Sequence, residues 1–283
     1  MGKVIVSGAA PQMTVPSTFP PIGTALNDMT WEQIRAISDA GKAADYFNLG
    51  DTKSITINGK AGNFTFSNYT VDAFIIGFNH NSAKEGSNRI HFLIGKSGGK
   101  LVGLCDGSYN SSVSSTGYFS MNSSNTNSGG WNASQMRKTL LGNSGTPTSP
   151  TANTLLAALP SDLRAVMKSV TKYTDNTANG EGNTASYVTA TTDYLFLLAE
   201  FEVQGSRTYA NSYEQNSQAQ YDYFKAGNSK IAYRHTATGT AVWWRLRSAL
   251  FGDSTDFCCV GTGGRAGTDS ASWSAGVLPG FAV

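Results

Sequence analysis

Short apolar runs, each closed off by glycine, asparagine or serine, recur along this 283-residue chain. VDAFIIGFNHN (71–81), RIHFLIG (89–95), DYLFLLAEFEV (193–203), KIAYRH (230–235), AVWWRLR (241–247), DFCCV (256–260) and GVLPGFAV (276–283) are the clearest. Runs of this length with flanking turn residues read as buried strands. KSITINGKAGNFTF (53–66) alternates and carries Asn58-Gly59, the pattern of a hairpin turn. Helical signals are sparse. Thr30 followed by Gln33 marks a capping box, with Trp31, Ile34, Ile37 and Ala40 as one apolar stripe. NASQMRKTLLG (132–142) has Asn132 as cap and Gly142 as stop, and ANTLLAALPSDLRAVMKSV (152–170) divides at Pro160 into two short helices, the second capped by Ser161. NSYEQNSQAQYDYFKAG (211–227) reads as a further helix. Residues 106–130 form a long loop with Tyr109, Tyr118 and Phe119 as pins. The expectation is a mixed α+β domain over 30–283, preceded by an extended, proline-containing leader over 1–29 that serves attachment or oligomerisation.

Composition narrows the function. Charged residues are 14% of the chain and the net charge is +2, which argues against a nucleic-acid footprint built on clustered Lys and Arg. No apolar stretch approaches the roughly 20 residues of a membrane span, and the first residues do not read as a secretory signal. Three cysteines, two of them adjacent, make neither a disulfide framework nor a paired metal motif. His80, His91 and His235 share no ligand spacing and are read as hydrogen-bonded structural residues. GTGGRAG (261–267) lacks the Lys-Ser/Thr that completes a phosphate loop. Glu200 and Glu202 alternate on an expected strand, as a solvated face, a Ca²⁺ ligand pair or an acid/base pair. Trp243 and Trp244 should point oppositely, one into the core and one over a second layer.

WWRLRS, FCCV and GVLPGF, together with LPSDLRAVMKSVTKYTDN, YLFLLAEFEVQG and AGNSKIAYRH, resemble a family found in gut bacteria and their phages. Its members are C-type-lectin-fold variable proteins of diversity-generating retroelements, in the fold branch shared with formylglycine-generating enzymes. The likeness covers about residues 30–283. It rests on scaffold positions Trp243, Trp244, Arg247, Ser248, Phe257, Cys258, Val260, Gly264, Ala271, Gly276, Pro279 and Phe281, and departs at Ala249, where proline is common.

The resemblance implies a C-type lectin fold whose segment 249–276 is rewritten by adenine mutagenesis and displayed as a binding surface. The implied surface residues are Leu250, Phe251, Asp253, Thr255, Asp256, Cys259, Gly261, Gly263, Arg265, Gly267, Thr268, Asp269, Ser270, Ser272, Trp273 and Ala275. Mutagenised asparagine codons end in a pyrimidine and cannot encode Lys, Glu, Gln or Met. Residues 249–276 contain none of these four, where the chain's 31 such residues would put about three by composition. Trp273 needs another template codon or is fixed.

The implied function is receptor binding at a phage tail, on a bacterial surface protein or glycan, without catalysis and without nucleic acid or membrane insertion. No cofactor is called for, although a structural Ca²⁺ stays open, as does a homo-oligomer. The alternatives are a bacterial surface adhesin and, less favoured, an oxidase of the formylglycine-generating type. That oxidase needs a spaced cysteine pair, and Cys258 and Cys259 are adjacent.

Overall fold

Thr30 starts the first helix as its neighbours dictate. In the computed structural model, which describes residues 19–283 apart from 106, 108 and 116, Thr30 Oγ1 accepts from the Gln33 amide and Gln33 Oε1 accepts from the Thr30 amide. The helix Trp31–Asp39 buries Trp31, Ile34 and Ile37, each contributing roughly 1.5–3 kcal/mol. Ala40, the fourth residue of the expected stripe, is exposed beyond its end. Trp31 meets Phe92 and Phe281 edge-on at 5.6 and 5.8 Å, so the helix covers the place where the last strand joins the main sheet. Residues 1–18 of the expected leader lie outside the described residues. The part from Leu26 is not a free extension, because Leu26 and Met29 are buried and Lys53 Nζ donates to the Asn27 and Met29 carbonyls.

The strands are β1 (Thr52–Ala61), β2 (Phe64–Phe78), β3 (Ile90–Ser97), β4 (Lys100–Gly103), β5 (Ser111–Ser112), β6 (Val170–Asp175) and β7 (Val188–Asp193). They continue as β8 (Ala232–Arg234), β9 (Ala237–Val242), β10 (Trp244–Ala249), β11 (Asp256–Val260), β12 (Ala266–Ser270), β13 (Trp273–Ser274) and β14 (Gly280–Ala282). The main sheet runs β1-β2-β3-β4-β8-β9, with β14 also on β3. All its pairs are antiparallel except β4 with β8. Smaller sheets are β10-β11-β12, β13-β5 and β6-β7. With its short helices the molecule is α+β, as expected.

Several local expectations change. The β1–β2 turn is Gly62-Asn63, not Asn58-Gly59. Gly62 has φ +56°, and a Cβ there would lie 2.2 Å from the Gly117 Cα. Gly59, at φ +124°, makes a bulge instead, and Asn58 Oδ1 accepts from the Asn68 amide. AVWWRLR is two strands in different sheets, parted at Trp243.

DYLFLLAEFEV is an extended buried segment that turns at Ala199 into the helix Glu200–Gln204. The Glu202 carboxylate accepts the Ala199 amide at its start. The helix expected over 211–227 is reduced to a turn at Glu214–Asn216 and the helix Asp222–Lys225. Buried Glu214, which accepts from Ser248 Oγ and the Asp175 amide, draws that segment inward against its helical propensity. The helix around Asn132 starts one turn earlier, at Gly130, and reforms as a wider turn over Met136–Leu141. Ser161 is the first residue of its helix and caps nothing, following Pro160.

Candidate ligand-binding surface

DFCCV becomes the middle strand of the β10-β11-β12 sheet. Neighbours on a strand face opposite ways, yet Phe257, Cys258, Cys259 and Val260 are all 0% exposed. β11 is therefore buried on both faces, which removes the conflict between alternation and burial. Trp244 pairs with Val260 and Arg245 with Cys259, and two residues of β10 bulge before Ala249 meets Phe257. On the far side β12 pairs in full register, Asp256 to Ser270 through Val260 to Ala266. No apolar run announces β12; its main chain, supported by β11, makes it a strand.

The loops around this sheet are tied down mostly through their own main chain. Buried Arg245 spreads its guanidinium over the carbonyls of Asp269, Ser270 and Trp273. Asn127, also fully buried, donates both amide hydrogens, to the carbonyls of Asp253 and Asp256 at 2.8 and 2.9 Å. Its backbone amide donates to the Ser254 carbonyl. Further main-chain pairs join Phe251 to Tyr209, Gly252 to Glu181, Gly180 to Asp253, Ala271 to Asn122, Ser272 to Val113, Ser274 to Asn110 and Ala275 to Phe119. Gln204 Nε2 holds the Gly264 carbonyl. Side chains of the segment that bond do so chiefly within it: Asp253 Oδ1 accepts from the amides of Thr255 and Asp256. Exceptions include Asp269, 3.4 Å from Arg245, Phe251, under the Arg207 guanidinium at 5.3 Å, Cys258 beside Glu200 and Ser274 beside Cys105. Burial raises the Asp269 carboxyl and Arg245 opposes it.

Of the expected surface residues, Gly263, Arg265 and Trp273 are exposed. Leu250, Phe251, Asp253, Thr255, Asp256, Gly261, Gly267, Thr268, Asp269 and Ser270 are half-buried. Three expectations are corrected. Cys259 lies between Arg245 and Gly267 in the central strand at 0% exposure, and burial raises its thiol. Ser272 and Ala275 are buried where their main chain pairs with the 113–119 segment.

Exposed Trp273 bounds a groove of about 190 Å³ that it lines with Asn110, Trp243, Thr268 and Asp269, and Gly263 lines a separate one with Gly264, Lys230 and Ile231. Of the two tryptophans expected to face opposite ways, Trp243 is half-buried and lines the first of these grooves, while Trp244 is fully buried. Arg245 and Asn127 escaped notice because a polar anchor acting on main chain leaves no spacing to find.

Behind the sheet lies a buried ionic cluster. Glu202 accepts from Arg247 Nη2 at 2.8 Å and Lys172 Nζ at 3.1 Å; Lys172 also reaches Glu85 at 2.7 Å and the Tyr221 hydroxyl at 2.8 Å. Burial would raise the Glu202 carboxyl, but Arg247 and Lys172 hold it well below the usual range. Burial lifts Glu85 to about 7 against the pull of Lys172. Burial and Lys172 together push His80 down to about 3.

His80 and His91, remote in sequence, come within 5.6 Å of each other, ring to ring. His80, Glu85 and Glu202 bring donor atoms within 4.8 Å, a spacing that suits a cation. The Lys172 ammonium already contacts both carboxylates as a tethered cation. Glu200 and Glu202 are neither a strand face nor a joint ligand pair. Glu200 accepts the amides of Thr208, Tyr209 and Ala210, and Glu202 belongs to the ionic cluster. Cys258 approaches Glu200 at 3.9 Å and its thiol is pushed well up by burial. Cys259, on the opposite face, shares no site with it.

Among the described residues no helix is long and apolar enough to cross a membrane. No curated protein and no solved structure matches the chain significantly. The model of one family, described as a domain of unknown function (DUF6273), matches residues 111–283, which span β5 to β14 and with them the whole β10-β11-β12 sheet. The chain belongs to the DUF6273 family.

Proposed function

We propose that this chain is a ligand-binding protein with a C-type lectin fold, whose segment 249–276 is a retroelement-diversified display surface. In this reading it is a phage tail protein that binds a bacterial surface protein or glycan. One observation carries the proposal: the segment is held to the scaffold mainly by its carbonyls and amides, through Arg245, Asn127 and backbone pairs. Every residue type has the same carbonyl, so such anchoring keeps the backbone path while exposed side chains change. Isolated Phe251, Arg265 and Trp273 among small residues match the composition of adaptable binding surfaces, where aromatic and Arg anchors supply most of the affinity. Cys259, Ser272 and Ala275 belong to the frame in this reading.

The flanking DNA tests it. A reverse-transcriptase gene and a near-copy of codons 249–276 differing at adenines are expected beside the gene. Finding neither would remove the diversified reading and leave a fixed surface adhesin.

A further inference from the structure

The groove at Trp243 and Trp273 has a chemistry of its own. The six-membered ring of Trp243 rests on bare backbone: a Cβ on Gly267 would lie 2.7 Å from its Cζ3, and one on Gly261 would lie 3.8 Å from its Cη2. The ring is thereby seated on the sheet while Trp243 stays partly open to solvent. Trp273 bounds the groove as one of the few large apolar side chains exposed among the described residues, at 38%. Its carbonyl and that of Asp269 are both held by Arg245, so one buried cation fixes two elements of the lining.

Asp269 supplies the polar element. Its Oδ1 accepts the Ser270 amide at 2.9 Å and its Oδ2 stands 3.4 Å from Arg245, which leaves each oxygen further acceptor capacity. The buried Arg245 guanidinium offsets this carboxylate, with Asp256 close enough to act on both, and the carboxylates disfavour acidic ligands. At about 190 Å³ the groove is below the roughly 300 Å³ at which drug-sized pockets begin, and it suits a single small ring. Two indoles with an acceptor close by fit a ligand that has apolar C–H faces and adjacent hydroxyls.

We propose that this groove is a saccharide subsite, taking a neutral hexopyranose against Trp243 and Trp273 with vicinal hydroxyls on Asp269. This rests on the reading of segment 249–276 as a binding surface and chooses glycan over protein as its target.

The test is titration of the full chain, followed by tryptophan fluorescence and ligand-observed NMR. The probes are methyl glucoside, methyl galactoside, methyl mannoside and N-acetylglucosamine, with choline chloride as the cationic comparison. At least one sugar should saturate with a Kd on the order of 1 mM. Trp273→Ala should weaken it by about tenfold or more with Tm unchanged. Asp269→Asn should weaken it while leaving the aromatic walls. Saturation by choline alone, by none of the sugars, or by a sugar whose Kd ignores Trp273→Ala overturns the subsite. The flanking-DNA result stands apart from all of these, so failure of the sugar assignment is distinguishable from failure of the display reading.

Discussion

Arg245 and Arg247 stand two residues apart on β10, both fully buried, and bind unlike partners. Arg247 is committed mainly to side chains: Glu202 takes two of its nitrogens and Thr174 Oγ1 takes Nε at 2.8 Å. Arg245 reaches the carbonyls of Asp269 and Ser270 on β12 and of Trp273 on β13, and only one carboxylate, Asp269. In the ionic cluster both partners must keep their identity, because a lone buried charge is costly. Around Arg245 the anchored carbonyls can come from any residue, while Gly267 must stay without a side chain beneath Trp243. One strand thus carries both a rigid specification, at Arg247, and a more permissive one, at Arg245.

The sharpest break of this comparison is Arg247→Met. It leaves Glu202 buried with only Lys172, and a loss of about 3–5 kcal/mol in denaturant unfolding is expected, or failure to fold. Arg245→Met strands loop carbonyls instead. It should speed hydrogen exchange of amides in 266–274 while protection in β2 and β3 persists. Equal effects of the two substitutions on global stability would erase the distinction drawn here.

The pH dependence sharpens the same contrast. Burial raises the Glu214 carboxyl from the usual 4.5 to about 7, outweighing the Asp175 amide, Ser248, Arg247 and Gln218. The folded state therefore holds this proton where the unfolded state has released it. The stabilisation is complete below about 4.5 and is lost as pH rises through about 7. Glu214→Gln keeps the shape without the titration. Wild-type stability relative to this variant should fall between pH 4.5 and 7, by up to about 3 kcal/mol. A difference that stays flat across that range would refute the shift.

How much of this was legible beforehand depends on where the information sits. Apolar runs such as 71–81 and 89–95 declared β2 and β3, and the Thr30–Gln33 box declared the first helix, because each signal is local in sequence. LLAEFE alternates like a strand, but Glu200 and Glu202 lie on a helix: Glu202 caps its start and reaches Arg247, while Glu200 accepts the amides of the turn at 208–210. His80, His91, Glu85 and Lys172 assemble only through tertiary contacts. β12 was invisible for a different reason. AGTDS has no apolar pattern, and its pairing partner, β11, alone determines that it is extended. The same property that hid the strand, a main chain held through its own carbonyls and amides, is the one on which the proposed display surface rests.

The smallest expected effect is the most direct measure of that permissiveness. Thr262 and Arg265 are exposed on the turn joining β11 and β12, and their neighbour Gly264 is held by its carbonyl through Gln204. A library randomised at both positions should keep Tm values within the range of a change of about 0.5 kcal/mol. Asn127→Ala in the same background should cost about 1–3 kcal/mol, since it removes one donor from each of the Asp253 and Asp256 carbonyls and leaves the Asn179 amide without its acceptor, without touching any exposed side chain. Thermal melts of the two sets decide the matter. If substitutions at Thr262 and Arg265 spread as widely as the anchor's loss, the fold reads those side chains after all, and the segment is scaffold rather than display.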